Sequence, residues 1–530
     1  MVNVTQRETI RPVTDLRDWL KVLEERGLLR RIKAKVDWNR ELGALARAVL
    51  AKHGPALLFE NIKDHENTLC RKLFTNGLGS QERVNLCLGL PGDTSPKDTI
   101  QSLRKVIKKG IAPVVVESGP VQENVLVGDQ VDLYQLPVPK WHHLDGGRFI
   151  DTFCAVVTKD PESGFVNVGT YRGMVVGKNK IAKLLLRPQD WGKHYTKWEA
   201  LGKPMPVAIV YGAEDLIPFL GSNPWSHAHG LSEYDLAGSI RGEPLKVVKC
   251  KTVDLEVPAT AEIVIEGHIS ARELSMEGPF GEYTGYYGGG TSGKPTLTVQ
   301  CMTYRNDPIF RGNIEGIRPG SPTEDGYFFP IGQSACAWNA LEDAGVPGVT
   351  DVWCPSNSSA TNVFVQIHKQ YRGHAKQVAY ALWGSKIAGW YFKHVMVVEE
   401  DVDIRNFEEL DWAMAYRVNA GEGDVIMSGP TAGSVLDPGT QREERDALLY
   451  GTGKWHRMLI DATRNWDYRR WEEWDNNVFP PVNKMSIEDE ELIRKRWDEY
   501  DLGIPPLTDE EREKLTMEKL MKILPVVGTK

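Results

Sequence analysis

The chain has 530 residues, 41% hydrophobic and 26% charged, with a formal charge of −8, which excludes wholesale disorder and leaves room for roughly two to four domains with a sizeable core. Acidic and basic residues are interspersed without a basic stripe, and no apolar run approaches the ~18 residues of a membrane span, so nucleic acid and bilayer are excluded as main partners and small molecules are expected. The opening MVNVTQRETIRPVTDLRDWL lacks the apolar core of a secretory signal, so the cytoplasm is the expected compartment.

In chain order, Asp15 to Ala34 carries apolar residues at Leu16, Trp19, Leu20 and Leu23, the spacing of an amphipathic helix, with Asp15 as N-cap and Gly27 marking the end. Similar helices alternate with short apolar runs such as ALLFENI, so residues 1–112 are expected to form an α/β N-terminal domain. From Pro113 the texture changes to β-branched segments (PVVVESG, TFCAVVTK, PVAIVYG, AEIVIEGHIS, TLTVQCMTYR) separated by turn residues, so residues 113–320 are read as a β-rich sandwich or barrel. Residues 321–485 return to α/β, with FVQIHKQYRGHAKQVAYALWGSK as strand then helix and HVMVVEEDVDI as a buried strand whose terminal acids are expected to line a crevice. Residues 486–530 are charged and helical in pattern, a peripheral extension expected to pack on its own surface or on a neighbouring subunit. The seven cysteines are widely spaced with no C-x-x-C pair, as in a reduced protein that uses them as small buried hydrophobes.

The stretch EGPFGEYTGYYGGG, Glu277 to Gly290, raises the main chemical question. On a straight strand Glu277 and Glu282 would face opposite ways, but Pro fixes φ and Gly permits positive φ, so the Gly-Pro-Phe-Gly insert can turn both carboxylates to one place. Converging carboxylates serve as acid/base pairs when their surroundings set them apart; spacing alone favours a surface hairpin with solvated acids. Arg172, in VNVGTYRG, could hold one acid ionised. Asn167 and Glu233 carry oxygens of the kind hard cations accept, although by spacing alone they read as surface polar residues. No P-loop, dinucleotide fingerprint or G-x-S-x-G elbow is present. Lys386 could neutralise a phosphate as a point charge.

Taken together, LPVPKWHHLDGGRFIDT (Leu136 to Thr152), VNVGTYRGMVVGKNK (Val166 to Lys180), LSEYDLAG (Leu231 to Gly238), LKVVKCKTVDLEVPATAEIVIEGHI (Leu245 to Ile269), EGPFGEYTGYY (Glu277 to Tyr287), KQYRGHAKQV (Lys369 to Val378) and MLIDATRNW (Met458 to Trp466) resemble the UbiD-like decarboxylases, which use prenylated FMN. The resemblance runs in order from about Asp15 to Trp466. It implies an α/β plus β architecture: a central split β-barrel like that of flavin reductases between an α/β N-terminal domain and an α/β C-terminal domain that mediates oligomers. It places the catalytic set on Arg172, Glu277 and Glu282. Thr170, Tyr171, Arg172, Leu184, Leu185, Leu186 and Gln189 would lie along the flavin and Lys386 at its phosphate. A divalent ion, commonly manganese with iron or magnesium as alternatives, would bridge to that phosphate from Asn167 and Glu233, with a potassium ion nearby. In RPQDWGKHY the slot that some members fill with a metal-binding His is Asp190; His194 and water are its rivals as third ligand.

The implied activity is reversible, non-oxidative decarboxylation of an aromatic or α,β-unsaturated acid, or of an aromatic acyl-CoA, through a covalent adduct with prenylated FMN. Glu282, as proton donor, is expected to have a raised pKa from burial. A flavin prenyltransferase would supply the cofactor, and a homo-oligomer, dimer or hexamer, is expected. An accessory subunit of a carboxylase complex and a flavin reductase on the same barrel are the alternatives. The stretches Gly221 to Gly230 and Val435 to Met458 are the expected places for pocket elaboration.

Overall fold

A computed structural model of the chain describes residues 13–225, 230–441 and 453–517. The first helix, Leu16–Glu25, begins where Asp15 accepts the Asp18 backbone N–H at 2.7 Å. It buries Leu16, Trp19, Leu20 and Leu23 and ends before Gly27, whose φ of +73° only glycine adopts freely. Beside it, strands Leu29–Ile32, Ala56–Phe59, Lys72–Thr75 and Ile309–Arg311 form a four-stranded sheet in that order. The fourth strand pairs parallel with Lys72–Thr75 and comes from more than two hundred positions downstream, so this layer joins segments from either side of the middle of the chain.

The middle of the chain forms an eight-stranded antiparallel sheet. Its path runs Val166–Gly169, Ala155–Lys159, Met205–Tyr211, Ile263–Glu277, Ser292–Tyr304, Lys180–Lys183, Gly173–Gly177, and Asn124–Val127 also pairs with Ser292–Tyr304. The two ends of the path are joined by Thr170 to Arg172, and pairing does not close them into a ring among the described residues. Alternate residues enter two different cores: Val156, Val207 and Ile209 face one, while Ala155, Val157, Ala208 and Val210 face the other. Burial on both faces explains why these strands read as continuous apolar runs rather than alternating ones. Helices Leu216–Gly221 and Glu233–Arg241 contribute to the second core.

Downstream, helix Asp325–Asp343 leads into a five-stranded sheet ordered Val349–Trp353, Asn362–Ile367, His394–Glu399, Met458–Asp461, Val425–Met427. Helix His374–Trp383 forms the crossover between the parallel strands Asn362–Ile367 and His394–Glu399. The acids that end the latter do not gather at a crevice: Glu400 pairs with His368 at 3.0 Å, and both side chains are exposed. The described residues divide into two compact units that part between Ala462 and Thr463. In the second, Ser486 caps helix Ile487–Lys495 and Thr508 caps Asp509–Leu515, while buried Glu490 accepts from Arg494 at 2.8 Å and forms an ion pair with Arg512 at 2.7 Å. All seven cysteines are unpaired, Cys87 and Cys250 half-buried and the rest buried. Among the described residues no helix is long and apolar enough to cross a membrane.

Candidate active site

Strand Ile263–Glu277 ends where Gly278 takes φ +90° and the Gly278-Pro279 peptide is cis, and the chain turns back through Phe280–Gly281. Backbone bonds fix the turn, with Gly146 N–H donating to Pro279 O at 2.8 Å and Gly281 N–H to Asp145 Oδ1 at 2.9 Å. There is no room for side chains: a Cβ on Gly146 would lie 2.2 Å from Gly278 O, and one on Gly288 would lie 2.6 Å from Glu282 Cγ. The turn aims both carboxylates at one guanidinium. Arg172 donates through Nε and Nη2 to Glu277 at 2.8 and 2.9 Å, and through Nη1 to Glu282 Oε1. Glu277 is fully buried and Glu282 is 3% exposed, so the solvated surface hairpin that spacing alone favours is not what forms. A buried acid pair is tolerable because the planar guanidinium satisfies both at once.

Arg172 sits in the segment that joins the two ends of the sheet path. Lys183, wholly buried, donates to Tyr171 O at 2.5 Å and to Asp151 Oδ2 at 2.7 Å, and Asp151 also accepts the Tyr211 hydroxyl. This pair fastens the segment from below. Removing one partner of a buried ion pair costs about 3–5 kcal/mol. Lys183→Met is therefore expected to lower the thermal midpoint sharply, and Asp151→Asn added to it to recover part of the loss.

Above Arg172 a cleft is lined by Thr152, Thr170, Tyr171, Arg172, Leu184, Leu186, Gln189, Ser222, Glu282, Tyr283, Glu315, Asp325, Phe328, Phe329, Gln333, Ser359, Trp390, Tyr391 and Leu436. Leu184 and Leu186 share an apolar cluster with Val435, Trp390 and Leu436 across the opening. Leu185, between them, faces the opposite way into the core of the sheet, as strand-like alternation demands. Its side chain is no part of the cleft. Of the two stretches expected to elaborate a pocket, Ser222 and Leu436 do line it, while residues 226–229 and 442–452 lie outside the described residues. The walls suit a flat aromatic cofactor, and the buried Gln333 Oε1 has no donor among the described residues, leaving an acceptor for a ring N–H.

The expected metal ligands gather around Tyr171, whose ring stacks on Trp191 at 4.3 Å. Its hydroxyl accepts from Asn167 Nδ2 at 3.2 Å. Burial and the charges of Asp190 and Glu233 hold that hydroxyl well above the usual tyrosine range, against the bond from Asn167. Glu233 opens its helix buried, with Oε2 accepting Val168 N–H at 2.8 Å. Asp190 opens helix Asp190–Ala200 and lies 2.9 Å from Lys193 Nζ and 3.9 Å from Lys386 Nζ. Burial holds the Lys386 ammonium below its ordinary pKa, opposed by Asp190. His194 is buried with Nδ1 at 2.9 Å from Thr158 Oγ1, and Thr158 is the register partner of Asn167. No group of three His, Cys, Asp or Glu side chains gathers among the described residues. The amide oxygen of Asn167 and the carboxylates of Asp190 and Glu233 nonetheless make an all-oxygen donor set, which fits a hard divalent ion, and Lys386 adds a cation for a phosphate beside it.

Sequence reasoning missed Glu315 and Asp325. Burial pushes the Asp325 carboxyl up to about 7 against hydrogen bonds from Gly316 N–H, Asn313 and Thr323. Burial, and then the charge of Asp325, push Glu315 well up, opposed by Arg172. The local signal was present as acids inside otherwise apolar or glycine-bounded text, NIEGI and TEDGYFF. A carboxyl whose folded pKa is raised holds its proton longer in the folded state, so its stabilising contribution is complete below about 4 and lost as pH rises through about 7. Asp325→Asn is therefore expected to flatten the fall of the thermal midpoint between about pH 4 and 7, read by calorimetry across that range.

Comparison with known proteins accords with this geometry. Family models described as the N-terminal, Rift-related and C-terminal domains of 3-octaprenyl-4-hydroxybenzoate carboxy-lyase (UbiD) match residues 20–103, 113–318 and 327–462. The chain is 36% identical over 511 residues to an uncharacterised protein of Aquifex aeolicus, covering 92% of this chain and 99% of that one. The vanillic acid decarboxylase of Sedimentibacter hydroxybenzoicus, in its closed form, superposes with a TM-score of 0.79 at 33% identity over 92% of this chain and 98% of that one. The UbiD-class enzyme HmfF of Pelotomaculum thermopropionicum, in complex with FMN, does so with a TM-score of 0.72 at 30% identity over 86% and 95%. An evolved dimeric form of HmfF, in complex with prFMN, gives 0.70 at 28% over 86% and 96%.

Proposed function

Because the chain belongs to the UbiD family of carboxy-lyases, we propose that it reversibly decarboxylates an aromatic acid of the hydroxybenzoate type with the help of prenylated FMN. The observation that carries the reading is the pair of buried carboxylates on one arginine at the floor of an aromatic cleft. The eight-stranded sheet is then the split barrel of the family. Thr170, Tyr171, Leu184, Leu186, Gln189 and the backbone at Leu185 would line the flavin. Asn167, Asp190 and Glu233 would hold a divalent ion at its phosphate, with Lys386 adjacent and potassium nearby.

Prenylated FMN, when bound, supplies an electron sink for the pair released as carbon dioxide leaves. The chain's own residues do the rest. Arg172 grips Glu277 through its two-point contact and offers the substrate carboxylate a cationic neighbour. The carbon–carboxylate bond breaks, and the proton of the Glu282 carboxyl goes to the carbon left behind. The carboxylate so formed on Glu282 is stabilised where it stands by Arg172 Nη1. Run backwards, the same groups remove that proton and the carbon takes up carbon dioxide. The apolar walls Leu184, Leu186, Phe328 and Leu436 exclude water, which strengthens each charge contact inside.

Protein produced together with a flavin prenyltransferase, which would supply the cofactor, tests the reading. Hydroxybenzoates are incubated in deuterated buffer, and deuterium exchange at the ring carbon together with carbon dioxide release supports it. Hydride transfer from a nicotinamide without either would point to a flavin reductase instead.

A further inference from the structure

We propose that Glu315 forms the subsite for a ring hydroxyl of the substrate, so that the preferred acids carry a phenolic O–H; this rests on the decarboxylase reading above. The Glu315 carboxyl lines the cleft together with Glu282 and Asp325, and among the described residues it takes part in no side-chain hydrogen bond or ion pair. Its neighbours are already committed. Asp325 accepts from Asn313 Nδ2 at 2.6 Å and from Gly316 N–H at 3.2 Å, and Arg172 bonds Glu277 and Glu282 through three of its five N–H donors.

The backbone of Glu315 is held from behind. Its carbonyl accepts from Arg47 Nη2 and from His142 Nε2, both at 2.8 Å. His142 in turn stands 3.2 Å from Asp145 Oδ2, the residue whose other oxygen accepts Gly281 N–H in the Glu277–Glu282 turn. The following residue, Gly316, has φ +113°, and a Cβ there would lie 3.3 Å from Glu282 O. Glu315 is thus built onto the same frame as the proton donor, with its side chain left over.

The Glu315 side chain is part-buried and open to the cleft, so a ligand there can reach its oxygens. The cleft walls and the charge of Asp325 favour its neutral form, which both donates to and accepts from a hydroxyl. The substrate's own carboxylate does not suit it, since Arg172 is the only cation lining the cleft among the described residues. A hydroxyl on the ring does. Sites that hydrogen-bond a substrate hydroxyl reject analogues lacking it far more strongly than apolar pockets reject a missing methylene.

The test uses the cofactor-loaded enzyme and two ligands that cannot be decarboxylated, phenol and anisole, titrated calorimetrically into wild type, Glu315→Gln and Glu315→Leu. Phenol is expected to bind at least about tenfold more tightly than anisole to wild type. Glu315→Leu should bring that ratio near one by weakening phenol alone, and the near-isosteric Glu315→Gln should keep an intermediate ratio. Equal or undetectable binding of both ligands to wild type, or an unchanged ratio in Glu315→Leu, overturns the proposal. Decarboxylation of hydroxybenzoates by the same preparations is scored separately: a Glu315-dependent ratio without turnover leaves the subsite standing and removes the decarboxylase reading, and turnover with an indifferent ratio does the reverse.

Discussion

Glu282→Gln is expected to abolish decarboxylation, with a fall in kcat of at least about 10²- to 10⁴-fold, the range attributed to a positioned acid or base. The substitution keeps the shape of the side chain and a hydrogen-bond acceptor for Arg172 Nη1, so the fold and the cleft should survive. What it removes is the proton. Flavin and metal should stay bound, because the expected holders of both, from Asn167 to Lys386, lie outside the Glu277–Glu282 turn. Deuterium exchange at the ring carbon should vanish together with turnover, since both need the same proton transfer. A Glu282→Gln enzyme that still turned over would assign the proton to another group.

Arg172→Ala should be more damaging still, and in two separable ways. It strands Glu277, fully buried, and Glu282, 3% exposed, without their shared cation, and an uncompensated buried charge costs about 3–5 kcal/mol. The thermal midpoint should therefore fall. Adding Glu277→Gln to Arg172→Ala should restore part of it, because it removes one stranded charge. Activity should not return with it, since the cation beside the substrate carboxylate is gone. Arg172→Lys keeps the charge but loses the fork that reaches Glu277 and Glu282 together, so it is expected to stabilise better than Ala and to remain nearly inactive.

How far the residues could be read in advance depended on how local their environment is. The first helix was legible because its cap, its apolar stripe and its terminating glycine lie within about one turn of what they control. The strands of the central sheet were legible as runs of Val, Ile and Thr. The convergence of Glu277 and Glu282 was legible only as an option, because their burial depends on Arg172, separated from Glu277 by 105 positions. Their assignment came from the resemblance of several blocks taken together. Glu315 and Asp325 left only a local trace, acids in apolar or glycine-bounded text, that did not place them in a cleft. They reach the cleft because strand Ile309–Arg311 pairs with Lys72–Thr75, a contact that no local pattern announces. Leu185 shows the opposite limit: the stretch Leu184 to Leu186 was expected to lie along a flavin, and while Leu184 and Leu186 line the cleft, alternation turns the middle side chain into the core.

The measurement that bears most directly on the proposed reaction is carbon dioxide release from a hydroxybenzoate by two preparations of the wild-type chain, one produced with a flavin prenyltransferase and one without, each analysed for bound flavin by mass spectrometry. Release confined to the preparation that carries prenylated FMN, and lost in Glu282→Gln carrying the same flavin, is the expected result. Equal release from both preparations, or none from a preparation loaded with prenylated FMN across a panel of aromatic acids, would contradict it.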